Sequence, residues 1–215
     1  MANNSGKISL PVIKRLPRYY RYVRDLQKAG VTTVSSSELA RLLGTTASQV
    51  RQDFNCFGGF GQQGVGYNVQ LLASELTNLL YQGETLNTVL LGTGRLGRTI
   101  SGFIARELPG FKLVAAFDNA PAQVGQSLGE LTVLDVATLE DFCKQHHPQI
   151  VVLCVPEDAA AELAPRLAGL DFKGLWNFSH YDVGNLSPGI AVENVHLGDS
   201  LSSLGFRVRN PAGEN

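Results

Sequence analysis

The sequence has few of the features that mark secreted, membrane-bound or metal-binding proteins. Its three cysteines, Cys56, Cys143 and Cys154, are scattered and form no CxxC pair, which argues against a disulfide framework or a zinc site and favours a reducing compartment. No apolar run approaches the ~18 residues of a membrane span, and the N-terminus carries no apolar signal core. We therefore expect a cytoplasmic globular protein that binds no metal.

Net positive charge is confined to the N-terminal part of the chain. Residues 1–80 carry nine Lys and Arg against four Asp and Glu, a net charge of +5, whereas the remainder carries −6. This asymmetry favours a small domain that binds a polyanion, fused to a different module. A solvated basic helix face would give the same count, so both interpretations stay open at this point.

Two short helices joined by a tight turn are predicted after a longer basic helix. Apolar residues at spacings of three and four predict a helix over 9–29, with a kink or restart at Pro17. Capping-box patterns begin a second helix at Ser35 and a third at Thr46, which favours a helix-turn-helix. The apolar residues expected to face the core on the first helix are Ile13, Leu16, Tyr20, Val23 and Leu26.

The outward face of the third predicted helix carries side chains that reach base edges and phosphates in a major groove. An ordinary exposed polar face is the alternative. The glycine-rich segment 58–66, which includes Phe60, predicts a hairpin or wing rather than a plain linker. A helix over 69–81 then precedes a domain boundary at 82–84. The outward residues of the third helix are Ser48, Gln49, Arg51, Gln52 and Asn55.

A nucleotide-binding motif follows this boundary. A strand at 86–91 leads into the GTGRLG motif at 92–97, a helix over 99–107 and a strand at 112–117 that ends at Asp118. The glycines allow a tight turn, close approach of a pyrophosphate and close helix packing, and the helix N-terminus supplies amide donors. Asp118 would accept hydrogen bonds from ribose hydroxyls and repel a 2′-phosphate, which favours NAD(H) over NADP(H). A Rossmann-like domain that binds another nucleotide, CoA or no ligand is the alternative.

Helices and strands continue to alternate after this motif, which predicts a parallel sheet covered on both faces. None of the four histidines pairs with an evident nucleophile or shows metal-ligand spacing, so the sequence offers no catalytic acid or base for a dehydrogenase. The predicted strands are 132–134, 149–155 and 174–177, and the predicted helices are 139–146 and 159–167.

Six segments around the glycine motif carry a family resemblance: KRLPRYYR at 14–21, TASQVRQD at 46–53, GVGY at 64–67, AAFD at 115–118, GLWNF at 174–178 and VENV at 192–195. In this order they resemble the Rex family of bacterial redox-sensing transcriptional repressors, nearly end to end. The resemblance implies a repressor of fermentation and respiration genes that binds a near-palindromic operator in double-stranded DNA and leaves it when NADH binds. The nucleotide would then be a regulatory ligand, and the protein not an enzyme.

The resemblance also implies an α/β architecture in three segments. These are a winged helix-turn-helix domain over 1–81, a Rossmann-like NAD(H)-binding domain over 86–195 with a parallel sheet, and a helix and tail over 196–215 that are exchanged in a homodimer. The predicted DNA-contacting residues are Lys14, Arg15, Arg18, Arg21, Thr46, Ser48, Gln49, Arg51, Gln52, Phe60, Gln63 and Tyr67. The predicted cofactor-binding residues are Gly92, Thr93, Gly94, Arg95, Leu96, Gly97, Asp118, Val155, Pro156 and Asn177.

Three positions depart from the family pattern. Gln63 stands where the family often has a basic residue, Phe103 where it commonly has Tyr, and His196 where an Asp usually begins the exchanged helix. In the family that Asp exchanges between the Tyr hydroxyl and an arginine of the first helix, here Arg15, so we expect this switch to be absent. The competing functions are a Rex-like protein with weak or no NADH response, a small NAD-dependent oxidoreductase, and a CoA-binding or nucleotide-sensing protein without DNA binding.

Overall fold

The chain forms two units, Met1–Glu84 and Thr85–Asn215. A computed structural model describes residues 8–58, 61–62, 66–183, 186 and 189–210, with only the backbone described at 61–62. Gln82 and Gly83, at the end of the first unit, both have positive φ, 49° and 71°, which turns the backbone sharply after the preceding helix.

Helix α1 (Leu10–Lys28) is continuous through Pro17, so it does not restart there. Pro17 lies on the exposed face, and the buried residues Leu16, Tyr19 and Val23 hold the helix against the core on either side of it. Sequence periodicity placed Tyr20 and Ile13 in the core. Tyr20 is only partly buried there, and Ile13 is exposed, whereas Tyr19 is buried.

Helices α2 (Ser36–Leu43) and α3 (Ala47–Asn55) form the predicted helix-turn-helix. Ser35 caps α2 through the full capping box with Glu38, and Gly44 ends the helix at a φ of 64°. The box predicted for α3 is only half formed. The Thr46 hydroxyl accepts a hydrogen bond from the Gln49 backbone N–H at 3.1 Å, but the Gln49 side chain donates to Asp53 instead of bonding back to Thr46.

A small antiparallel sheet and helix α4 (Val69–Tyr81) complete the first unit. Its strands are β1 (Thr33–Val34), β2 (Gly61–Gln62) and β3 (Gly66–Asn68), in the order β1-β3-β2. A Cβ at Gly66 would lie 2.7 Å from the Val34 carbonyl oxygen, so glycine allows β3 to approach β1. Phe54 packs edge-on between Tyr19 and Tyr67 in the core, at centroid distances of 4.9 and 5.0 Å.

The second unit is built on a seven-stranded sheet in the order β10-β9-β8-β4-β5-β7-β6. All neighbours pair in parallel except β6, which is antiparallel to β7. The strands are β4 (Leu86–Leu91), β5 (Phe111–Asp118), β6 (Ser127–Leu128), β7 (Leu131–Asp135), β8 (Ile150–Leu153), β9 (Gly174–Asn177) and β10 (Ala191–Asn194). The helices are α5 (Arg95–Glu107), α6 (Leu139–His146), α7 (Glu157–Ala168) and α8 (Leu197–Arg209), with a 3-10 turn at Val136–Thr138.

Separate clusters of buried side chains pack on the two faces of this sheet, as its parallel topology requires. The first strand, β4, lies between β5 and β8, so successive crossovers run in opposite directions from it. The carboxyl ends of β4 and β8 therefore open a crevice, which is where ligands bind in sheets of this kind.

Helix α8 has no buried residue, and every residue of it except Gly205 is exposed. Leu197, Leu201, Leu204 and Val208 recur at spacings of four, three and four and form one apolar stripe, which we call the α8 stripe. The exposed fractions of these side chains range from 47% to 71%. Among the described helices, none is long and apolar enough to cross a membrane.

Candidate functional site

The glycine loop between β4 and α5 has the geometry that the motif predicts. Gly92 has a φ of 89°, and a Cβ there would collide with the Cys154 carbonyl oxygen. A Cβ at Gly97 would collide with the Gly92 carbonyl oxygen, so this glycine lets α5 pack directly against the turn. A Cβ at Gly94 would meet no described atom within 4 Å, and this open side of the loop faces the crevice.

Helix α5 begins at Arg95, four residues earlier than its sequence pattern predicted. Gly94 is its N-cap and makes no side-chain cap, so the first backbone N–H groups are available to a phosphate. Arg95 and Leu96 form the first turn and contribute these amide donors rather than pocket surface.

Asp118 ends β5 beside the glycine loop. Its Oδ2 accepts hydrogen bonds from the Thr93 backbone N–H at 2.7 Å and the Thr93 hydroxyl at 2.8 Å, and its Oδ1 accepts from the Ala120 N–H at 3.0 Å. Burial alone would raise the pKa of this carboxyl, but the hydrogen bonds from Ala120 and Thr93 outweigh it and lower the pKa. Asp118 is therefore a fixed negative charge at the position expected to meet a ribose.

A cavity of about 570 Å³ opens at the crevice, within the roughly 300–1,000 Å³ of ordinary ligand pockets. Of the predicted cofactor-binding residues, Gly92, Gly94, Asp118, Val155 and Pro156 line it. Thr93 is fully buried and donates to the Asp118 carboxylate through its backbone N–H and its hydroxyl. The cavity is also lined by residues that sequence reasoning missed, among them Gln123, Val136, Ala159, Glu162, Leu163 and Arg166.

Arg166 is the best-fixed charge among the missed residues. Its guanidinium forms a bidentate pair with Glu140, at 2.6 and 2.7 Å, and also donates to the Val136 carbonyl oxygen at 2.8 Å. The hydrogen bond from Arg166 lowers the pKa of the Glu140 carboxyl. The sequence could not predict this ion pair, because Glu140 and Arg166 lie on different helices and are 26 residues apart.

Asn177 was predicted to contact the cofactor, but the structure gives its side chain other partners. Its Nδ2 donates to the Tyr181 carbonyl oxygen and to Asn194 Oδ1, and its Oδ1 accepts from the backbone N–H and hydroxyl of Ser179. Both donors and both acceptor positions of the amide are thus occupied. Asn177, which is fully buried, ties the end of β9 to β10.

The outward residues of α3 form an exposed polar surface, as predicted. Ser48, Arg51 and Gln52 are exposed, and Gln49 is partly exposed. The Arg51 guanidinium donates to the Ser36 hydroxyl at 3.1 Å, which holds it over the start of α2. We call this set, with Thr46 at the start of the helix, the α3 polar face.

The basic residues of α1 differ in their surroundings. Arg18 donates to the Leu43 carbonyl oxygen at 2.9 Å, at the end of α2, and Arg21 lies over the Tyr22 ring at 5.4 Å. Lys14 is exposed. Arg15 is different, since it forms a bidentate ion pair with Asp53 through Nε at 2.6 Å and Nη2 at 2.8 Å.

Asp53 is the residue of this surface that sequence reasoning missed. Its carboxylate is 1% exposed and also accepts from the Tyr19 hydroxyl at 2.7 Å and from Gln49 Nε2 at 2.9 Å. Burial raises its pKa, but hydrogen bonds from Arg15, Tyr19 and Gln49 outweigh burial and lower it. The sequence signal for Asp53 was an acidic residue four positions after Gln49, in an N-terminal part of the chain whose net charge is positive.

Two predicted DNA-contacting residues, Phe60 and Gln63, lie outside the described residues. Tyr67 packs in the core, with 7% of its surface exposed, because its ring fills the space beside Phe54. The structure therefore assigns Tyr67 to the fold of the first unit rather than to its surface.

Two family models match the chain, one to each unit. The first describes a putative DNA-binding protein N-terminus and matches residues 7–55, and the second describes a CoA-binding domain and matches residues 84–181. With the helix-turn-helix and the crevice, these matches define a class: a DNA-binding regulator with a Rossmann-like nucleotide-binding unit.

Curated relatives of this chain include redox-sensing transcriptional repressors named Rex. Those of Thermoanaerobacter pseudethanolicus and Clostridioides difficile are each 44% identical, over 94% of this chain and over 90% and 96% of the relatives, respectively. The fold is similar to a crystal structure of RSP in complex with beta-NAD+ and operator DNA (44% identity, 94% of this chain, 93% of the other, TM-score 0.85). It is also similar to RSP in complex with beta-NADH (40%, 95%, 96%, TM-score 0.86). The chain belongs to the Rex family.

Proposed function

We propose that this chain is a repressor whose Rossmann-like unit binds NADH or NAD+ as a signal and whose α3 polar face binds an operator in double-stranded DNA. The observation that carries the proposal is the cavity bounded by Gly94 and Asp118 in a chain that also presents a helix-turn-helix. The RSP complexes support both ligands, since RSP binds the same nucleotides and operator DNA at 40–44% identity to this chain.

Within this proposal, the chain's own residues hold the nucleotide. The turn at Gly92 and the first N–H groups of α5 face the diphosphate, and the Asp118 carboxylate accepts from the adenosine ribose. NAD(H) rather than CoA is the expected ligand, because CoA carries a 3′-phosphate on that ribose, which would approach a fixed carboxylate.

The nucleotide acts as a signal rather than a substrate, so the protein is not an enzyme. The described residues that line the cavity include no histidine. Burial raises the pKa of the Cys154 thiol to about 12, so this cavity residue stays protonated and a poor nucleophile at neutral pH. A repressor of this kind works beside the chromosome, in the cytoplasm.

A homodimer is the assembly that this proposal requires. The α8 stripe is exposed, and a second copy of the chain that exchanges this helix would cover it. Two helix-turn-helix units related by a two-fold axis match a near-palindromic operator, whose half-sites are then set by the dimer.

The decisive experiment measures operator binding during parallel titrations with NADH, NAD+, NADPH and CoA. We expect NADH to release the DNA at lower concentration than NAD+, and NADPH and CoA to act only at much higher concentrations. DNA binding that ignores all four ligands would contradict the sensing role. Steady turnover of NADH with a small carbonyl substrate would contradict the assignment as a non-enzyme.

A further inference from the structure

The carboxylate of Asp53 lies beneath the α3 polar face and is the acceptor for three side chains. Oδ2 accepts from Arg15 Nε and the Tyr19 hydroxyl, and Oδ1 accepts from Arg15 Nη2 and Gln49 Nε2. Ion pairing with Arg15 keeps this buried group ionised. An ionised carboxylate only accepts hydrogen bonds.

The contact with Asp53 decides which way the Gln49 amide is turned. Because the carboxylate cannot donate, Gln49 must present its nitrogen to Asp53, at 2.9 Å, and not its oxygen. Its Oε1 and its second amide hydrogen are then left for another partner. Gln49 lies in the first turn of α3 and is partly exposed, beside exposed Ser48 and Gln52.

An acceptor and a donor side by side match one base edge of the major groove. Adenine offers the N6 amino group as donor and N7 as acceptor, and a glutamine amide pairs with both. Guanine offers two acceptors at that edge, which would oppose the glutamine oxygen. Residues near the N-terminus of a recognition helix are those that contact base edges.

We propose that Gln49 recognises an adenine in each operator half-site and that Asp53 is a positioning residue that turns the Gln49 amide for this contact. This inference rests on the proposed function, since it requires α3 to enter a major groove. The held amide also loses less conformational freedom on binding than an unrestrained glutamine would.

The first test is a selection of operators from a randomised DNA library, carried out with the full-length protein and with Gln49→Met. The substitution keeps the length of the side chain and removes its hydrogen bonds. We expect the wild type to require adenine at one position of each half-site, and Gln49→Met to lose that requirement alone. Gln52→Met, on the same helix, should change the preference at a different position.

The second test replaces that adenine by 7-deazaadenine, which lacks the N7 acceptor. The replacement removes one of the two hydrogen bonds in each half-site, so the wild type should lose roughly tenfold or more in affinity. Gln49→Met should bind both DNA molecules equally. Affinity losses that are the same for the wild type and for Gln49→Met would overturn the assignment of this base to Gln49.

The positioning role is tested with Asp53→Asn and Tyr19→Phe, which alter the same buried network. Asp53→Asn can meet either end of the Gln49 amide, so the 7-deazaadenine penalty should shrink. Tyr19→Phe removes one hydrogen bond to Asp53 but leaves the contact with Gln49, so the penalty should remain. If Asp53→Asn does not fold, the Gln49→Met and Tyr19→Phe proteins carry the test, since a penalty lost in Tyr19→Phe overturns the positioning role.

The outcomes separate this inference from the function on which it rests. A selection that enriches no sequence overturns both. Sequence-specific binding in which Gln49→Met keeps every preference of the wild type overturns the inference and leaves the repressor function standing. If the preference that Gln49→Met loses is for guanine or a pyrimidine, the adenine assignment is wrong.

Discussion

At the scale of a single residue, Asp118 should determine the preference for NADH over NADPH. Its carboxylate is held by Thr93 and Ala120 and stays ionised at neutral pH. Asp118→Ala should weaken NADH binding and bring the NADH and NADPH affinities closer together, because a charge-assisted hydrogen bond is worth about 1.5–3 kcal/mol. Calorimetry measures both affinities.

Thr93→Val is the matched control for Asp118→Ala, since it removes one donor to the carboxylate but keeps the charge. It should retain the preference for NADH. Equal affinities of the wild type for NADH and NADPH would contradict the role of Asp118.

Asp53 should also dominate the acid stability of the first unit. Its replacement by Asn leaves Arg15 without its buried partner, which costs about 3 kcal/mol at neutral pH, the lower end for buried pairs because Arg15 is 30% exposed. The folded-state pKa of Asp53 is lowered, so its stabilisation is complete above the unfolded pKa and is lost as the pH falls through the folded pKa.

Thermal unfolding of the wild type and Asp53→Asn from pH 7 to pH 3, at one protein concentration, measures this effect. The difference in melting temperature should be constant down to about pH 5 and shrink below about pH 4. Asp25→Asn, a change at an exposed acid on α1, should shift the melting temperature little at any pH. A difference that grows on acidification would contradict the assignment.

Local chemistry made some site residues predictable, and long-range contacts hid others. The roles of Gly92 and Gly97 follow from backbone geometry within six residues, and the structure agrees with them. The role of Gly94 toward a pyrophosphate stays a prediction. Asp53 meets Arg15 across 38 positions, and no periodicity reports a contact at that separation. The side-chain partners of Asn177 were hidden for a related reason, since Asn194 lies on the unpredicted strand β10.

At the scale of elements, helix α1 should contact DNA phosphates and helix α3 should contact base edges. The Arg18 guanidinium is held at the end of α2 by its hydrogen bond to Leu43, and we expect it to contact a DNA phosphate. A phosphate contact carries no sequence information. Arg18→Ala should therefore weaken binding to operator and random DNA alike and reduce the slope of log affinity against log salt by about one unit. Arg51→Ala, on the α3 polar face, should weaken operator binding more than random binding.

Equilibrium binding across a range of salt concentrations distinguishes the two variants. Unchanged operator affinity in Arg51→Ala at every salt concentration would refute α3 as the recognition helix. If Arg18→Ala weakened binding to the operator but not to random DNA, Arg18 would contact a base rather than a phosphate.

The predictability of elements followed their length and pattern. Helices α4 and α6 and strands β4 and β9 have the bounds that the sequence predicted. Short strands β1 and β6 have two residues each and no readable alternation. Helix α5 begins before Thr99 because Gly97, a poor helix former, is accommodated by packing against Gly92, a tertiary contact that overrides propensity.

At the scale of the whole molecule, the response to NADH should differ from the family pattern. Phe103 has no hydroxyl and His196 is no anion, whereas Arg15 is retained. We predict that the Asp-based switch is absent. Either another pair, such as Asp199 with Arg15, replaces it, or NADH releases this protein from DNA only weakly.

Operator binding across an NADH titration tests this, for the wild type and for Phe103→Tyr combined with His196→Asp. If no other pair replaces the switch, the double variant should respond at lower NADH concentration than the wild type. If both dissociate sharply at the same micromolar NADH, closure around the nicotinamide alone drives release and the prediction is wrong.

Removal of residues 196–215 should abolish a well-behaved dimer. The truncation deletes the α8 stripe and uncovers whatever surface of a second copy receives it, so monomers or aggregates are expected. Light scattering of the truncated protein measures its mass. A truncated protein that remains a soluble dimer would refute the helix exchange.

If a second copy of the chain covers the exposed α8 stripe, the response of the protein depends on its own concentration. If the leucines of the stripe are covered only by a second copy, part of the folding free energy is bimolecular, and the melting temperature rises with concentration by mass action. A cell with few copies would hold more separated chains, each with half of an operator-binding pair. The transcriptional response to NADH would then depend on gene dosage as well as on the nucleotide ratio.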